Sequence, residues 1–95
     1  MQSMTEIKTL KKIDAVSAPK LDAQLKALIE AGETEIIIDM ADTTYISSVG
    51  LRAFGSAQKM MNKLQGTMLL RNVQPCIMEI FEITGFGGVL TIEEN

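Results

Sequence analysis

The chain has no histidine and no tryptophan, a single cysteine, two prolines, three phenylalanines and one tyrosine. Each scarcity excludes something. Without histidine the usual zinc ligand sets cannot be assembled, and the imidazole that activates a serine nucleophile is missing. Cys76 has no second cysteine with which to close a disulfide, which fits a reducing compartment. No apolar run approaches membrane-spanning length, and Met1 to Lys12 carries scattered charge in place of a signal peptide's apolar core, so a cytoplasmic protein without membrane insertion is expected. A formal charge of −3 disfavours nonspecific binding to nucleic acid or anionic lipid, either of which takes a basic surface to replace counterions, so nucleic acid is not an expected partner.

What is present is enough for one core. Ninety-five residues with 46% hydrophobic content make one small domain over 1–95 with no room for a second. Met1 to Ser3 adds nothing recognisable, Met4 reads as a candidate start, and residues 1–5 read as disordered or tag-like.

The chain is organised around Ile36 to Leu51. Ile36, Ile37 and Ile38 are consecutive β-branched residues without polar alternation, which predicts a central parallel strand covered by helices on both faces. Asp39 closes that run, and Asp42, Thr43 and Thr44 have the short polar side chains that lead a chain out of a strand into a loop. That loop leaves the strand's carboxyl end, where open α/β sheets bind ligands and partners. Ser47 and Ser48 precede a helical pattern, so one of them is expected to cap the helix, leaving the other hydroxyl free.

Around this centre, Glu6 to Ile13 reads as one edge strand guarded by lysines. Ser17 is the expected cap of a first helix over 18–31, with Leu21, Leu25, Leu28 and Ile29 as its apolar stripe, Gly32 as its stop and Asp22 with Lys26 as an exposed pair. A second helix from Ser48 is expected to bury Leu51, Phe54, Ala57, Met61 and Leu64 and to end at Gly66. Met68 to Arg71 reads as another strand. Pro75 opens a third helix with Ile77, Ile80, Phe81 and Thr84 on one face, ending by Gly85. Val89 to Ile92 reads as a last short strand before an acidic tail. Gly87-Gly88 lies between a helix and a strand, so it is not a phosphate loop. The order β-α-β-α-β-α-β implies an α/β domain with a mostly parallel four- to five-stranded sheet and three helices packed on it.

Asp39-Met40-Ala41-Asp42-Thr43-Thr44-Tyr45-Ile46-Ser47-Ser48-Val49-Gly50-Leu51 resembles the signature of the STAS family, the domain shared by bacterial anti-sigma factor antagonists and sulfate transporter tails. Ile13-Asp14-Ala15 with Ala18-Pro19 and Leu21 is similar to the family's entry to its first helix, and Thr84-Gly85-Phe86 to its Thr-Gly-Leu, so the resemblance spans Lys11 to Ile92. Matched on Gly50 and Leu51, the family's phosphorylatable serine falls on Ser48, with Ser47 as second choice. Family members usually carry two N-terminal strands where only one fits here, and a bare sheet edge of that kind is able to pair with another chain, making a homodimer one reading.

No nucleophile with a base, no paired carboxylates in a cleft and no metal set is visible, and Asp39 with Asp42 supplies too few oxygens for a dedicated cation site, so neither enzymatic activity nor a cofactor is expected. The resemblance implies a partner-switching regulator that binds an anti-sigma factor or related serine protein kinase, is released on phosphorylation of Ser48, and is restored by a serine phosphatase. The expected partner face joins Asp42, Thr44, Ser47 and Ser48 to a basic strip of the second helix, Arg52, Ser56 and Lys59, with Met60 as its adaptable apolar contact. The alternative is a constitutive STAS scaffold subunit of a larger assembly such as a lipid-transport complex. A small-molecule sensor has no motif in its favour.

Overall fold

A computed structural model describes residues 4–93. Five strands and three helices follow in the order β1 (Met4–Lys8), β2 (Lys12–Ile13), α1 (Ser17–Glu30), β3 (Glu35–Asp39), β4 (Tyr45–Ile46), α2 (Ser48–Lys63), β5 (Thr67–Arg71) and α3 (Pro75–Thr84), with a short 3-10 turn at Phe86–Gly88. The isoleucine run is the middle of a parallel sheet in the order β1-β3-β5, with Ile36 opposite Thr5 and Met68, and Ile38 opposite Ile7 and Leu70. A second parallel pair joins β2 to β4. The class is the expected one, a single small α/β domain with every strand pair parallel.

The expected Glu6 to Ile13 strand is two strands. Thr9 turns inward, its hydroxyl against that of Thr43, and the chain then leaves β3 to pair with β4. Met4 and Thr5, expected in a disordered or tag-like stretch, lie in β1, and residues 1–3 of that stretch fall outside the described residues.

Ile36, Ile38, Met68 and Leu70 lie in one core with Leu21, Leu25 and Ile29 of α1, Phe54 and Met61 of α2, and Ile77 and Phe81 of α3. Helices on both faces of β3 were expected, yet Ile37 is buried without joining that core. Its register neighbours are Glu6 and Leu69. The ion pair from Glu6 on β1 to Arg71 on β5, at 3.1 Å, therefore reaches over β3 on this second face, where side chains rather than a helix shield Ile37.

Other boundaries moved for local reasons. α1 begins at Ser17 itself, because the Asp14 carboxylate accepts from the amides of Val16 (3.0 Å) and Ser17 (2.9 Å) and does the work expected of Ser17. Gly32 at φ +89 ends the helix as expected, and Asp22 pairs with Lys26 at 3.0 Å. α2 stops at Lys63, and Gln65, not Gly66, takes the left-handed conformation. Leu64 consequently turns out of the buried stripe and is 62% exposed. Thr84 is exposed too, its hydroxyl donating to the Ile80 carbonyl at 2.7 Å.

In place of a strand over 89–92, the chain leaves the 3-10 turn at Phe86–Gly88 and, of these four residues, only Ile92 bridges to Leu70. The buried Gln58 fixes this segment by accepting from the Thr91 amide at 3.2 Å. Glu93, expected in an acidic tail, is paired with Arg71 at 2.6 Å.

Candidate functional site

Asp39 ends β3 and bends the chain. Its Oδ1 accepts from the Ala41 amide (3.0 Å) and from Asn72 Nδ2 (3.1 Å), and these bonds, together with the nearby Lys8 and Arg71 charges, hold its carboxyl below the ordinary 3.8. The residues after it form a clamp. Thr43 is fully buried, its amide bonded to the Met40 carbonyl (3.0 Å) and its hydroxyl to the Leu10 carbonyl (2.7 Å). Thr44 N donates to Lys11 O at 2.9 Å and Ser47 N to Ile13 O at 2.8 Å. Two polar loops are thus laced along their length, which fixes where α2 begins.

At that point the two serines divide the work. Ser47 has extended backbone angles (φ −85, ψ 169) and its Oγ accepts from the Gly50 amide at 3.2 Å, making it the cap. Ser48 is the first helical residue, exposed, and its hydroxyl has no bonded partner among the described residues. The amides of Ser48 and Val49 have no carbonyl one turn back to bond, as at any helix start. They sit where the helix dipole is positive.

Gly50 permits this seating. A Cβ there would stand 2.7 Å from Ile13 Cγ2 and 2.9 Å from Ile46 Cγ1, so any larger residue would push the first turn of α2 off the β2/β4 pair.

The expected partner residues are not all equivalent. Asp42 is exposed and pairs with Lys8 at 3.3 Å, while Asp39 is satisfied by Ala41 and Asn72, so the two carboxylates are not assembled into a cation site. Thr44 is exposed beside α3, its carbonyl 3.8 Å from Cys76 Sγ. Arg52 is one turn beyond Ser48 and exposed, Ser56 is half-buried, and both flank a groove between α1 and α2 with Val49, Asp22 and Lys26. Lys59 is exposed. Met60 is half-buried against the core, which makes it a packing residue more than a free contact.

Sequence reasoning passed over Tyr45, which is 48% exposed on the same rim while Ile46 beside it is buried. The period-two alternation of that dipeptide was the available signal. It also passed over Gln74, whose amide donates to the Ala41 carbonyl at 2.6 Å and ties the start of α3 to the loop.

A family profile described as the STAS domain matches residues 3–95. The chain belongs to the STAS domain family. This STAS domain is 35% identical over 80 residues to the anti-sigma-B factor antagonist of Bacillus subtilis, covering 84% of this chain and 72% of the relative. It is 32% identical over 83 residues to BtrV of Bordetella bronchiseptica, described as a candidate anti-sigma factor antagonist, covering 87% and 72% of the two chains. Among solved structures it superposes on the anti-sigma factor antagonist SpoIIAA in its unphosphorylated form with a TM-score of 0.80, at 17% identity, over 100% of this chain and 84% of that one. The phosphorylated form of Bacillus SpoIIAA gives 0.76 at 16% identity, over 100% and 86%. At these identities the structural likeness concerns the fold. Among the described residues of the STAS domain, no helix is long and apolar enough to cross a membrane, and no group of three metal-ligating side chains is gathered.

Proposed function

We propose that this STAS domain is a cytoplasmic, non-enzymatic partner-switching regulator: unphosphorylated, it binds an anti-sigma factor or related serine protein kinase through the rim at Ser48, and phosphorylation of Ser48 ends that binding. A serine phosphatase restores it. The observation that supports this most directly is that Ser47 alone caps α2, which leaves the Ser48 hydroxyl exposed and unengaged. The family and the names of its relatives point the same way.

The chemistry of the position suits a reversible switch. A phosphate on Ser48 would meet the free amides of the first turn, the positive end of the helix dipole and Arg52 one turn on, so the fold need not change to accept it. It would add about −1.5 to −2 charges at pH 7 to a face on which a partner must desolvate. Asp42, Thr44, Arg52 and Lys59 extend that face across the rim and along α2.

The test is phosphorylation by the cognate kinase with ATP, read by mass spectrometry. One phosphate on Ser48 is expected, with none in Ser48→Ala. Ser48→Asp should remain folded, since a carboxylate at a helix start is favourable by ~0.3–1 kcal/mol, and should fail to bind the partner. Phosphate on Ser47 would move the switch by one residue. No phosphate anywhere, with normal binding by Ser48→Asp, would leave a constitutive scaffold subunit as the function.

A further inference from the structure

Tyr45 is the single tyrosine of the chain, and it is placed unlike the other aromatics. Phe54 and Phe81 are fully buried and Phe86 is half-buried against the core, whereas Tyr45 is 48% exposed at the rim that carries Ser48. In the β2/β4 pair Lys12 lies opposite Tyr45 and Ile13 opposite Ile46. Residues in register share a face, so the two isoleucines turn into the core while the outer face presents Lys12 beside Tyr45. The backbone under the ring is held on both sides, by the Thr44 amide on the Lys11 carbonyl and the Ser47 amide on the Ile13 carbonyl. Gly50 seats α2 against Ile13 and Ile46 of the same pair. Lys12, Tyr45 and Ser48 therefore stand on one fixed frame.

The charges at this rim are unevenly satisfied. Lys8, Lys26 and Arg71 are each ion-paired, and among the described residues neither Lys12 nor Arg52 is. The nearby acids are already engaged. Asp14 accepts from the amides of Val16 and Ser17, Asp42 pairs with Lys8, and Asp22, which lines the α1/α2 groove with Arg52, pairs with Lys26. A chain of net charge −3 thus leaves two uncompensated cations on the frame that carries its one exposed aromatic ring.

We infer that Tyr45 is the anchor of the partner face: its ring enters an apolar socket on the serine kinase that binds at Ser48, and carboxylates bordering that socket meet Lys12 and Arg52. The inference rests on the partner-switching reading and adds to it which residue holds the partner and what chemistry the partner presents. A tyrosine on a fixed backbone has only two side-chain torsions to freeze, so it offers a large amphipathic contact at little entropic cost. Rings of this kind, filling a pocket near the centre of an interface, carry much of its affinity. The same arrangement explains release. A phosphate on Ser48 would set its negative charge against carboxylates drawn there by Lys12 and Arg52, and like charges across an interface are strongly unfavourable.

The test is made on the full chain, with the serine kinase that binds the wild type and not Ser48→Asp. Tyr45→Ala should weaken that binding about thirtyfold or more, and Tyr45→Phe, which keeps the ring, should stay within about tenfold of the wild type. Lys12→Glu should weaken it about tenfold and reduce its dependence on salt. Thermal melts of the variants separate lost contact from lost fold. The wild type supplies a reading free of substitution: with the ring isotope-labelled, the Tyr45 resonances should lose their relaxation by a soluble paramagnetic agent when the kinase is added. Wild-type affinity for a folded Tyr45→Ala, a ring that stays accessible in the complex, or binding indifferent to salt and to Lys12→Glu would each overturn the proposal while leaving the switch at Ser48 intact. Protection of the ring that rises with the concentration of this chain alone would assign it to self-association and overturn it too. If no serine kinase distinguishes the wild type from Ser48→Asp, the switching reading falls, and this inference falls with it.

Discussion

Two helices of this domain begin with serine, and only one of those serines is available. Ser17 opens α1 and is fully used: its hydroxyl donates to the Lys12 carbonyl at 2.9 Å and accepts from the Asp14 amide at 2.9 Å. Ser48 opens α2 at the same helical position with its hydroxyl unbonded among the described residues, because the preceding residue has taken over the capping. The two starts differ in what precedes them. At α1 the carboxylate of Asp14 reaches forward three residues and draws Ser17 into its own network, whereas at α2 the cap is a serine with nothing further to offer its neighbour. A residue type and a place in a helix therefore do not make a modification site. The hydroxyl must also be left over after the local fold has been satisfied.

The strongest way to break this contrast is at the seat of α2. Gly50→Ala should cost ~1–3 kcal/mol in chemical denaturation, since its Cβ must displace the branched side chains of Ile13 and Ile46. A variant as stable as the wild type would mean that α2, and Ser48 with it, is not held in place by the Ile13 and Ile46 contacts.

A smaller and more pointed comparison sets the serines against each other. Ser17→Ala and Ser47→Ala should each lower stability by ~1 kcal/mol, through a lost hydrogen-bond network in one and a lost cap in the other. Ser48→Ala should change it by less than ~0.5 kcal/mol. Equal losses at Ser47 and Ser48 in thermal melts would show that capping is shared, and the free hydroxyl would lose its distinction.

The smallest effect concerns acid. The bonds Asp14 accepts from the amides of Ser17 and Val16 hold its carboxyl below its ordinary value, as those from Ala41 and Asn72 do for Asp39. A depressed folded-state pKa means that the unfolded chain takes up protons first, so the stability these groups contribute is present above an unfolded pKa of about 3.9 and is lost as pH falls through the lower folded values. Denaturation midpoints measured from pH 7 towards pH 3 should therefore fall, and Asp14→Asn should flatten that fall. The first turn of α2 has no acid, so the cost of Ser47→Ala should stay the same across the range. A pH-dependent cost there would erase the difference between the two helix starts.

Much of this was legible in the chain itself. Consecutive β-branched residues put β3 at the centre, helical spacing placed Leu25, Phe54 and Ile77 in the core, and Gly32 and Gly85 marked helix ends through left-handed backbones. These are local properties, set by steric preference and by which residues repeat on one face, and a sequence carries them without help. The Ser47-Ser48 pair was legible as a cap beside a free hydroxyl, but not which serine was which. That depended on where the helix starts, and the start is set by Ile13, thirty-four residues earlier, whose carbonyl holds the Ser47 amide.

The same kind of distant partner decided the rest. Thr9 and Thr43 ended one strand and began another by meeting each other, Arg71 closed the second face of the sheet by reaching Glu6 and Glu93, and the last segment became a turn with one bridge because Gln58 and Leu70 held it there. Periodicity reports which face of an element is apolar. It cannot report which remote polar group will satisfy a given donor, because each chain offers many and only the folded arrangement brings one within hydrogen-bonding distance.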